Sequence, residues 1–155
     1  SLNKDVKLII YGEGHERENL LKLIDDLDLT KQVYLKGQVD RRVIAEKMRS
    51  SHCFVFASRL ETFGVAFIEA MAVGLPVITT KCGGPEDFIN EKNGVVVPNN
   101  SVDSLAEVML YMRNNISKYN RNRISEDIIK VFKPKIVANQ LIEEYTQVMK
   151  LKITR

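Results

Sequence analysis

Apolar residues along the chain fall into short runs that are separated by glycine, proline and charged residues. The run CFVFAS at 53–58 has the length and aromatic content of a strand, and PVITT at 76–80 predicts a β-branched second strand. Between them, VAFIEAMAV at 65–73 predicts a helix, because Gly64 precedes it and Gly74 ends it. The order predicts one βαβ unit, which crosses over right-handed.

The same pattern predicts further elements on both sides of this unit. Strands are expected within 6–12, at the start of 32–42 and over 94–98, and helices over 43–51 and 101–115. Two more helices are expected near the C-terminus, with Pro134 in the first turn of the last one. A further helix is expected after the first strand, with apolar positions at Leu20, Leu21, Ile24 and Leu27. The expected apolar positions of the helix over 101–115 are Val102, Leu105, Ala106, Met109 and Met112. Those of the last helix are Ile136, Val137, Leu141, Ile142, Tyr145 and Val148.

The helix over 65–73 is apolar except for Glu69, so we expect it to be buried on most faces, with hydrogen-bond donors around that carboxylate. The first turn of a helix has backbone N–H groups without helical partners, and its positive end favours anions. We therefore expect a phosphate-sized anion hole at residues 64–67. Glu61 lies eight residues before Glu69, on the loop that leads into this helix. Both carboxylates are expected near the carboxyl edge of a parallel sheet, where ligands bind in such folds.

The stretch also resembles a known sequence signature, S-x-x-E-x-F-G-x-x-x-x-E-A-M-A-x-G-x-P-V-I. It runs here from Ser58 to Ile78, and the glycine pair Gly83–Gly84 followed by Glu86 belongs to it as well. This is the signature of retaining glycosyltransferases with the GT-B fold, of the family 4 type. The resemblance implies an α/β fold: a Rossmann-like, three-layer domain with a parallel β-sheet flanked by helices, the C-terminal half of a GT-B enzyme.

The resemblance implies a nucleotide-sugar donor-binding domain over residues 1–155 of a transferase that moves a hexose-type sugar to a glycan, lipid-linked or small-molecule acceptor. Glu69 would bind the ribose hydroxyls, and Glu61 would be the catalytic residue, holding the transferred sugar. The amides of Phe63, Gly64 and Val65 would hold the diphosphate. No cofactor and no metal are expected, because basic residues and the helix N-terminus neutralise the diphosphate.

The resemblance assigns two further segments to the nucleotide. The loop Gly37, Gln38, Val39 and Asp40 would pack on the base, and Asp40 is also a candidate cap for the following helix. The strand before Gly12 and Gly14 would be the second strand of the family's C-terminal domain. These two glycines are either a turn that faces the ligand or a helix entry turn that only allows close packing. Arg41 and Arg42 either meet a base or phosphate or are solvated.

The family's N-terminal acceptor domain and the first strand of its C-terminal domain are not recognisable in this sequence. We therefore interpret the chain as a fragment that is inactive alone. The alternative is a GT-B-like sugar-nucleotide epimerase or a degenerate nucleotide-binding module. An epimerase is expected to lack the ETFG stretch at 61–64, and a degenerate module to lack Glu61 or Glu69; all are present.

Composition adds limits to this picture. A chain of 155 residues with 45% hydrophobic content suits one globular domain. Two cysteines without metal-like spacing, no long apolar run and no signal peptide predict a cytoplasmic protein.

Charge is distributed unevenly along the chain. Residues 111–155 carry ten basic and four acidic side chains, whereas residues 1–110 carry 13 basic and 16 acidic ones. We favour a solvated helical face there; the alternative is a weak contact with anionic lipid at the inner membrane face, or with a polyanionic acceptor. No basic patch with interleaved aromatic residues predicts nucleic-acid binding.

Overall fold

The computed structural model describes residues 6–153, with side chains for residues 6–150. Strands and helices alternate through most of this range. The strands are β1 (Leu8–Ile10), β2 (Val33–Leu35), β3 (Phe54–Phe56), β4 (Val77–Thr80) and β5 (Gly94–Val97). The α-helices are α1 (Arg17–Asp26), α2 (Arg41–Ser50), α3 (Val65–Ala72), α4 (Val102–Asn115), α5 (Arg121–Phe132) and α6 (Pro134–Ile153), and short 3-10 helices span Gly84–Asp87 and Ile116–Lys118.

The chain divides into two compact units, Ser1–Lys47 and Met48–Arg155. In the first unit β1 and β2 form a parallel pair, with Leu8 opposite Val33 and Ile10 opposite Leu35. Helix α1 connects the two strands, and none of its residues is buried. Its predicted apolar positions are therefore only partly covered in the structure: Leu20, Leu21 and Leu27 are 36%, 42% and 57% exposed.

The second unit contains a parallel sheet in the order β3-β4-β5. Strand β4 is central, and each of its residues is buried. Strand β3 pairs with β4 through Phe54 opposite Val77, and α3 connects the two. The βαβ unit predicted from the apolar runs is thus confirmed, although the strands are shorter than the runs.

The core of the second unit lies between this sheet and its helices. Helix α3 contributes Phe67, Ala70 and Met71, and α5 packs against α3 with Ile124 and Ile128 buried in the same cluster. Burial of this apolar area drives folding, at about 25 cal/mol per Å² removed from water. It fixes the orientation of α3, and hence of its N-terminus, relative to the sheet.

The expected burial of α3 holds on most faces but not around Glu69. Phe67, Ala70 and Met71 are buried, whereas Val65 is 56% exposed and Glu69, four residues later on the same side, is exposed. In α4 the predicted stripe is only partly buried, since Val102 is 82% exposed and Ala106 is exposed. The sequence correctly predicted both helices, but the apolar positions alone do not specify how far each face is covered.

The fold class is confirmed as α/β with parallel strands flanked by helices, although the described strands form two sheets and not the single sheet that was expected.

Pro134 begins α6, as predicted. The apolar positions of α6 are mostly exposed, for example Leu141 at 52% and Tyr145 at 68%. Among the described residues, no helix combines the length and apolar character that a membrane crossing requires. The assignment of 1–155 as one domain stays a prediction.

Candidate functional site

The loop between β3 and α3 is fixed at the carboxyl end of the sheet by side chains from neighbouring strands. The Thr80 hydroxyl donates a short hydrogen bond to the carbonyl oxygen of Ser58, and the Asn99 side-chain amide donates to the carbonyl of Arg59 at 3.1 Å. Thr80 ends β4, and Asn99 follows β5. The loop therefore lies where ligands bind in parallel α/β sheets.

The backbone of Glu61 is held by the loop that follows β4. Its N–H donates to the carbonyl of Cys82 at 2.8 Å, and its carbonyl accepts from the amide of Gly84 at 2.9 Å. A parallel bridge joins Glu61 to Gly83. Both backbone groups of Glu61 are thus satisfied by the glycine turn, which fixes the position of this residue at the sheet edge.

The glycine turn is itself closed by Glu86, whose carboxylate accepts from the amide of Gly83 at 2.8 Å. A Cβ on Gly84 would lie 2.8 Å from Cα of Phe63 and would also collide with the carbonyl oxygen of Thr62. Only glycine fits there. The sequence analysis assigned Gly83, Gly84 and Glu86 to the motif but predicted no role for them. The structure shows that they support the Glu61 loop.

The Glu61 carboxylate bends back onto its own loop. Its Oε1 atom accepts from the amide of Gly64 at 3.2 Å and, more weakly, from the amide of Phe63 at 3.4 Å. Two of the amides predicted to hold the diphosphate therefore donate to Glu61 in this structure. Glu61 is attached to the start of α3 by its side chain as well as by its backbone.

The start of α3 contains the other amides of the predicted anion hole. Gly64 is the N-cap residue with φ +84°, and a Cβ there would lie 2.7 Å from the Phe67 ring and 2.8 Å from Pro85. The Phe67 amide donates to the Gly64 carbonyl at 3.0 Å. Among the described residues, the amides of Val65 and Ala66 have no acceptor. The predicted hole at 64–67 is thus reduced to two unpaired amides.

Glu69 differs from its prediction. Its side chain is exposed, and within the described residues its carboxylate accepts no hydrogen bond and forms no ion pair. A solvated carboxylate needs no donors from the fold, so the expected donors are absent because the expected burial is absent. The carboxylate of Glu69 is therefore available to a ligand on the exposed side of α3.

The first unit brings together two of the predicted segments. The amide of Gly12 donates to the carbonyl of Gly37 at 2.9 Å, just beyond the ends of β1 and β2. Gly37 has φ +69°, and a Cβ on it would lie 2.5 Å from Oε1 of Glu13. The Glu13 carboxylate, 3.6 Å from Arg17, thus covers Gly37.

The remaining residues predicted for the base lie around this contact. Asp40 caps α2, since its carboxylate accepts from the amide of Arg42 at 2.8 Å, so that prediction is confirmed. Gln38 is exposed and Val39 is half-buried. Gly14 accepts from the amide of Arg17 at 3.1 Å, which makes it the entry turn of α1. Ligand contacts of these residues stay predictions.

No group of three or more potential metal-ligating side chains occurs within residues 6–150. Both cysteines are free, as predicted. Burial raises the pKa of the Cys53 thiol to about 12, so the thiol stays neutral at physiological pH and is not a nucleophile. His15 and His52 are exposed.

A parallel α/β fold with a glycine-capped helix N-terminus at the carboxyl edge of the sheet defines a Rossmann-like domain. The family model for glycosyl transferases group 1 matches residues 1–131, and the chain belongs to this family. The fold is that of part of a GT-B glycosyltransferase.

Two relatives and one solved structure illustrate the similarity. Over 112 residues, 71% of this chain, the protein is 34% identical to poly(ribitol-phosphate) alpha-N-acetylglucosaminyltransferase of Staphylococcus aureus (strain COL). Over 149 residues, 94% of this chain, it is 27% identical to N-acetyl-alpha-D-glucosaminyl L-malate synthase of Bacillus anthracis. A crystal structure of an S. aureus TarM mutant with Fondaparinux, alpha-GlcNAc-glycerol and UDP matches 90% of this chain, with a TM-score of 0.79 and 30% identity.

The chain is much shorter than these proteins. The aligned parts are 22% and 39% of the two relatives and 29% of the TarM chain. The chain therefore spans well under half of the length of each of them.

Proposed function

We propose that this chain is the nucleotide-sugar donor-binding domain of a retaining glycosyltransferase that transfers a hexose-type sugar to a glycan, lipid-linked or small-molecule acceptor. The observation that carries the proposal is the start of α3 at the carboxyl edge of a parallel sheet, where the Val65 and Ala66 amides have no acceptor within the described part of the chain. A phosphate group is among the anions that such a helix N-terminus binds, which fits the diphosphate of a sugar nucleotide. Both relatives named above are N-acetylglucosaminyl enzymes, so a UDP-linked N-acetylglucosamine is the donor to test first.

In this proposal the residues of the second unit take the roles that the family resemblance implies. The free amides of α3 take the diphosphate and stabilise the charge that grows on it as the glycosidic bond breaks. Glu69, exposed one turn into α3, accepts two hydrogen bonds from the ribose hydroxyls. Glu61, fixed at the sheet edge, accepts from hydroxyls of the transferred sugar. Attack then occurs on the face from which the diphosphate leaves, and the configuration of the sugar is retained.

The proposal for the first unit is separate. Its loop Gly37–Asp40, supported by the Gly12 amide, contacts a nucleotide base mainly through backbone groups. The proposed site contains no metal ion. The helix N-terminus and basic residues of the whole protein neutralise the diphosphate instead.

The acceptor side belongs to the rest of the protein. Since the chain spans under half of its relatives, we propose that an acceptor domain and a further strand lie outside it. In the described residues β3 pairs on one side only, which leaves an edge that another strand can use. An epimerase or a non-transferring module is the alternative, and the intact ETFG stretch at 61–64 favours the transferase.

The proposal predicts that this chain binds UDP weakly, because the helix start and Glu69 are present without a basic clamp. Titration with UDP, GDP and ADP, followed by amide NMR shifts, measures this. Shifts at 61–69 are expected for the second unit, and shifts at 12–14 and 37–40 for the first. Inorganic phosphate is the control for the helix start alone, and it should leave the base loop unchanged. Shifts confined to other regions would contradict the site.

Glu69→Gln is predicted to weaken UDP binding by about 1–3 kcal/mol, because it removes a charged acceptor for the ribose while keeping its volume. The melting temperature should stay unchanged, since Glu69 has no partner within the described residues. Glu107→Gln, an exposed position on α4, makes the same change of charge away from the site and is the control. A lower melting temperature with unchanged affinity would show that Glu69 is structural.

A further inference from the structure

Three phenylalanines form a closed aromatic cluster beside the Glu61 loop. The ring centroids of Phe63 and Phe132 are 5.6 Å apart, those of Phe88 and Phe132 are 5.6 Å apart, and those of Phe63 and Phe88 are 6.2 Å apart. The rings meet edge to face, at angles of 78°, 74° and 63° respectively. This is a favourable geometry for aromatic pairs.

The three rings differ in how they are attached to the protein. Phe88 and Phe132 pack against the buried core, whereas Phe63 is 48% exposed and lies outside it. Phe63 lies between Glu61 and Gly64, in the loop that contains the proposed anion site. The other two rings therefore connect this loop to the core, and Phe132 does so from the last residue of α5.

The backbone contacts of the loop hold residues before and after Phe63 but not its ring. The Glu61 backbone bonds to Cys82 and Gly84, and the Phe67 amide bonds to Gly64. Among the described residues, the Phe63 amide has only the 3.4 Å contact to the Glu61 carboxylate. Gly64 is held by its own 3.2 Å bond to that carboxylate, so the Phe63 ring is the part of the loop whose position depends on its aromatic neighbours.

We propose that Phe132, together with Phe88, is a positioning residue of the donor site: it holds the Phe63 ring and thereby fixes the loop that leads into the Val65 and Ala66 amides, which receive the diphosphate. Neither residue lies between Ser58 and Ile78, where the motif is, and neither touches the ligand in this proposal. The ligand in this inference comes from the proposed function, whereas the effect of Phe132 on the loop does not depend on it.

The test compares Phe132→Ala with Phe132→Tyr, which keeps the ring, and with Ile124→Ala. Ile124 is 3% exposed on the same helix and forms no part of the cluster, so its truncation reports loss of core packing alone. Kd for UDP is measured by calorimetry and Tm by circular dichroism. For Phe132→Ala the loss of two ring contacts predicts an about five- to tenfold higher Kd. For Phe132→Tyr and Ile124→Ala Kd should stay within twofold, while Ile124→Ala has the lower Tm.

A second readout needs no ligand. In ¹⁵N relaxation, Phe132→Ala should lower the order parameters of the Phe63, Val65 and Ala66 amides from about 0.85 toward 0.6, and Ile124→Ala should not. If the unsubstituted chain binds no UDP, the proposed function fails while this measurement still decides the positioning role. If Phe132→Ala does not fold, Phe88→Leu takes its place with the same expectations. Unchanged order parameters, or an equal rise of Kd in Ile124→Ala, overturn the proposal.

Discussion

In the complete protein, Glu61→Ala is expected to lower sugar transfer by about 100-fold or more, because orientation of the reacting sugar accounts for a large part of the barrier. The affinity for UDP should stay within a few fold, since the proposed partner of Glu61 is the sugar and not the nucleotide. Turnover with the sugar nucleotide and Kd for UDP are measured on the same preparation. Glu107→Gln, at an exposed position on α4, is the control for a lost carboxylate.

The structure makes a second substitution necessary, because the Glu61 carboxylate also accepts from the Gly64 amide at 3.2 Å. Glu61→Gln keeps a carbonyl oxygen for this bond but removes the negative charge and one acceptor. If Glu61 orients the sugar, both variants lose turnover while UDP affinity persists. If it only shapes the loop, Gln restores turnover, and Ala loses UDP affinity and turnover together.

The local order of elements around α3 could be predicted from the sequence because the signals lie within the segment itself. Gly64 and Gly74 enclose an apolar run of helix length, and a β-branched strand follows. In the structure Gly64 caps α3 with a positive φ, a conformation that glycine adopts without strain. Signals of this kind depend on backbone conformation and need no knowledge of distant contacts.

The environment of α3 could not be predicted in the same way. A helix that is apolar on all sides indicates burial, yet Val65 and Glu69 share an exposed face. The hydrophobic composition of a helix shows which side chains can be buried, but the number of faces that are covered depends on which elements pack against the helix. Here the sheet and α5 cover the faces that carry Phe67, Ala70 and Met71.

The residues of the candidate site that belong to the sequence motif could be predicted, but their contacts could not. Glu61 and Gly64 were identified, but the bond between the Glu61 carboxylate and the Gly64 amide requires a side-chain rotamer that spacing does not specify. Phe132 could not be found, because it meets Phe63 only after α5 has packed on α3. Contacts between residues so distant in sequence depend on tertiary packing and leave no local periodicity.

The largest effect on stability is expected for Phe67→Ala, which should lower the free energy of unfolding by about 3–5 kcal/mol. Phe67 is 0% exposed, and its ring packs edge to face on Phe54 at 5.4 Å and on Phe56 at 5.5 Å. Alanine would leave a cavity between α3 and the sheet that the rigid strands cannot close. Urea unfolding, followed by circular dichroism, measures the change, and Phe67→Leu should cost clearly less because it fills most of the volume.

Phe63→Ala is the matched comparison, since it removes the same ring from a position that is 48% exposed. It should cost only about 1–2 kcal/mol, because part of the ring is already in water and two aromatic contacts are lost. Its main effect should be on UDP affinity, whereas Phe67→Ala acts on both quantities, since the Phe67 ring lies directly against Gly64 at the start of α3. Equal losses of stability in the two variants would contradict the assignment of Phe67 to the core and of Phe63 to the loop.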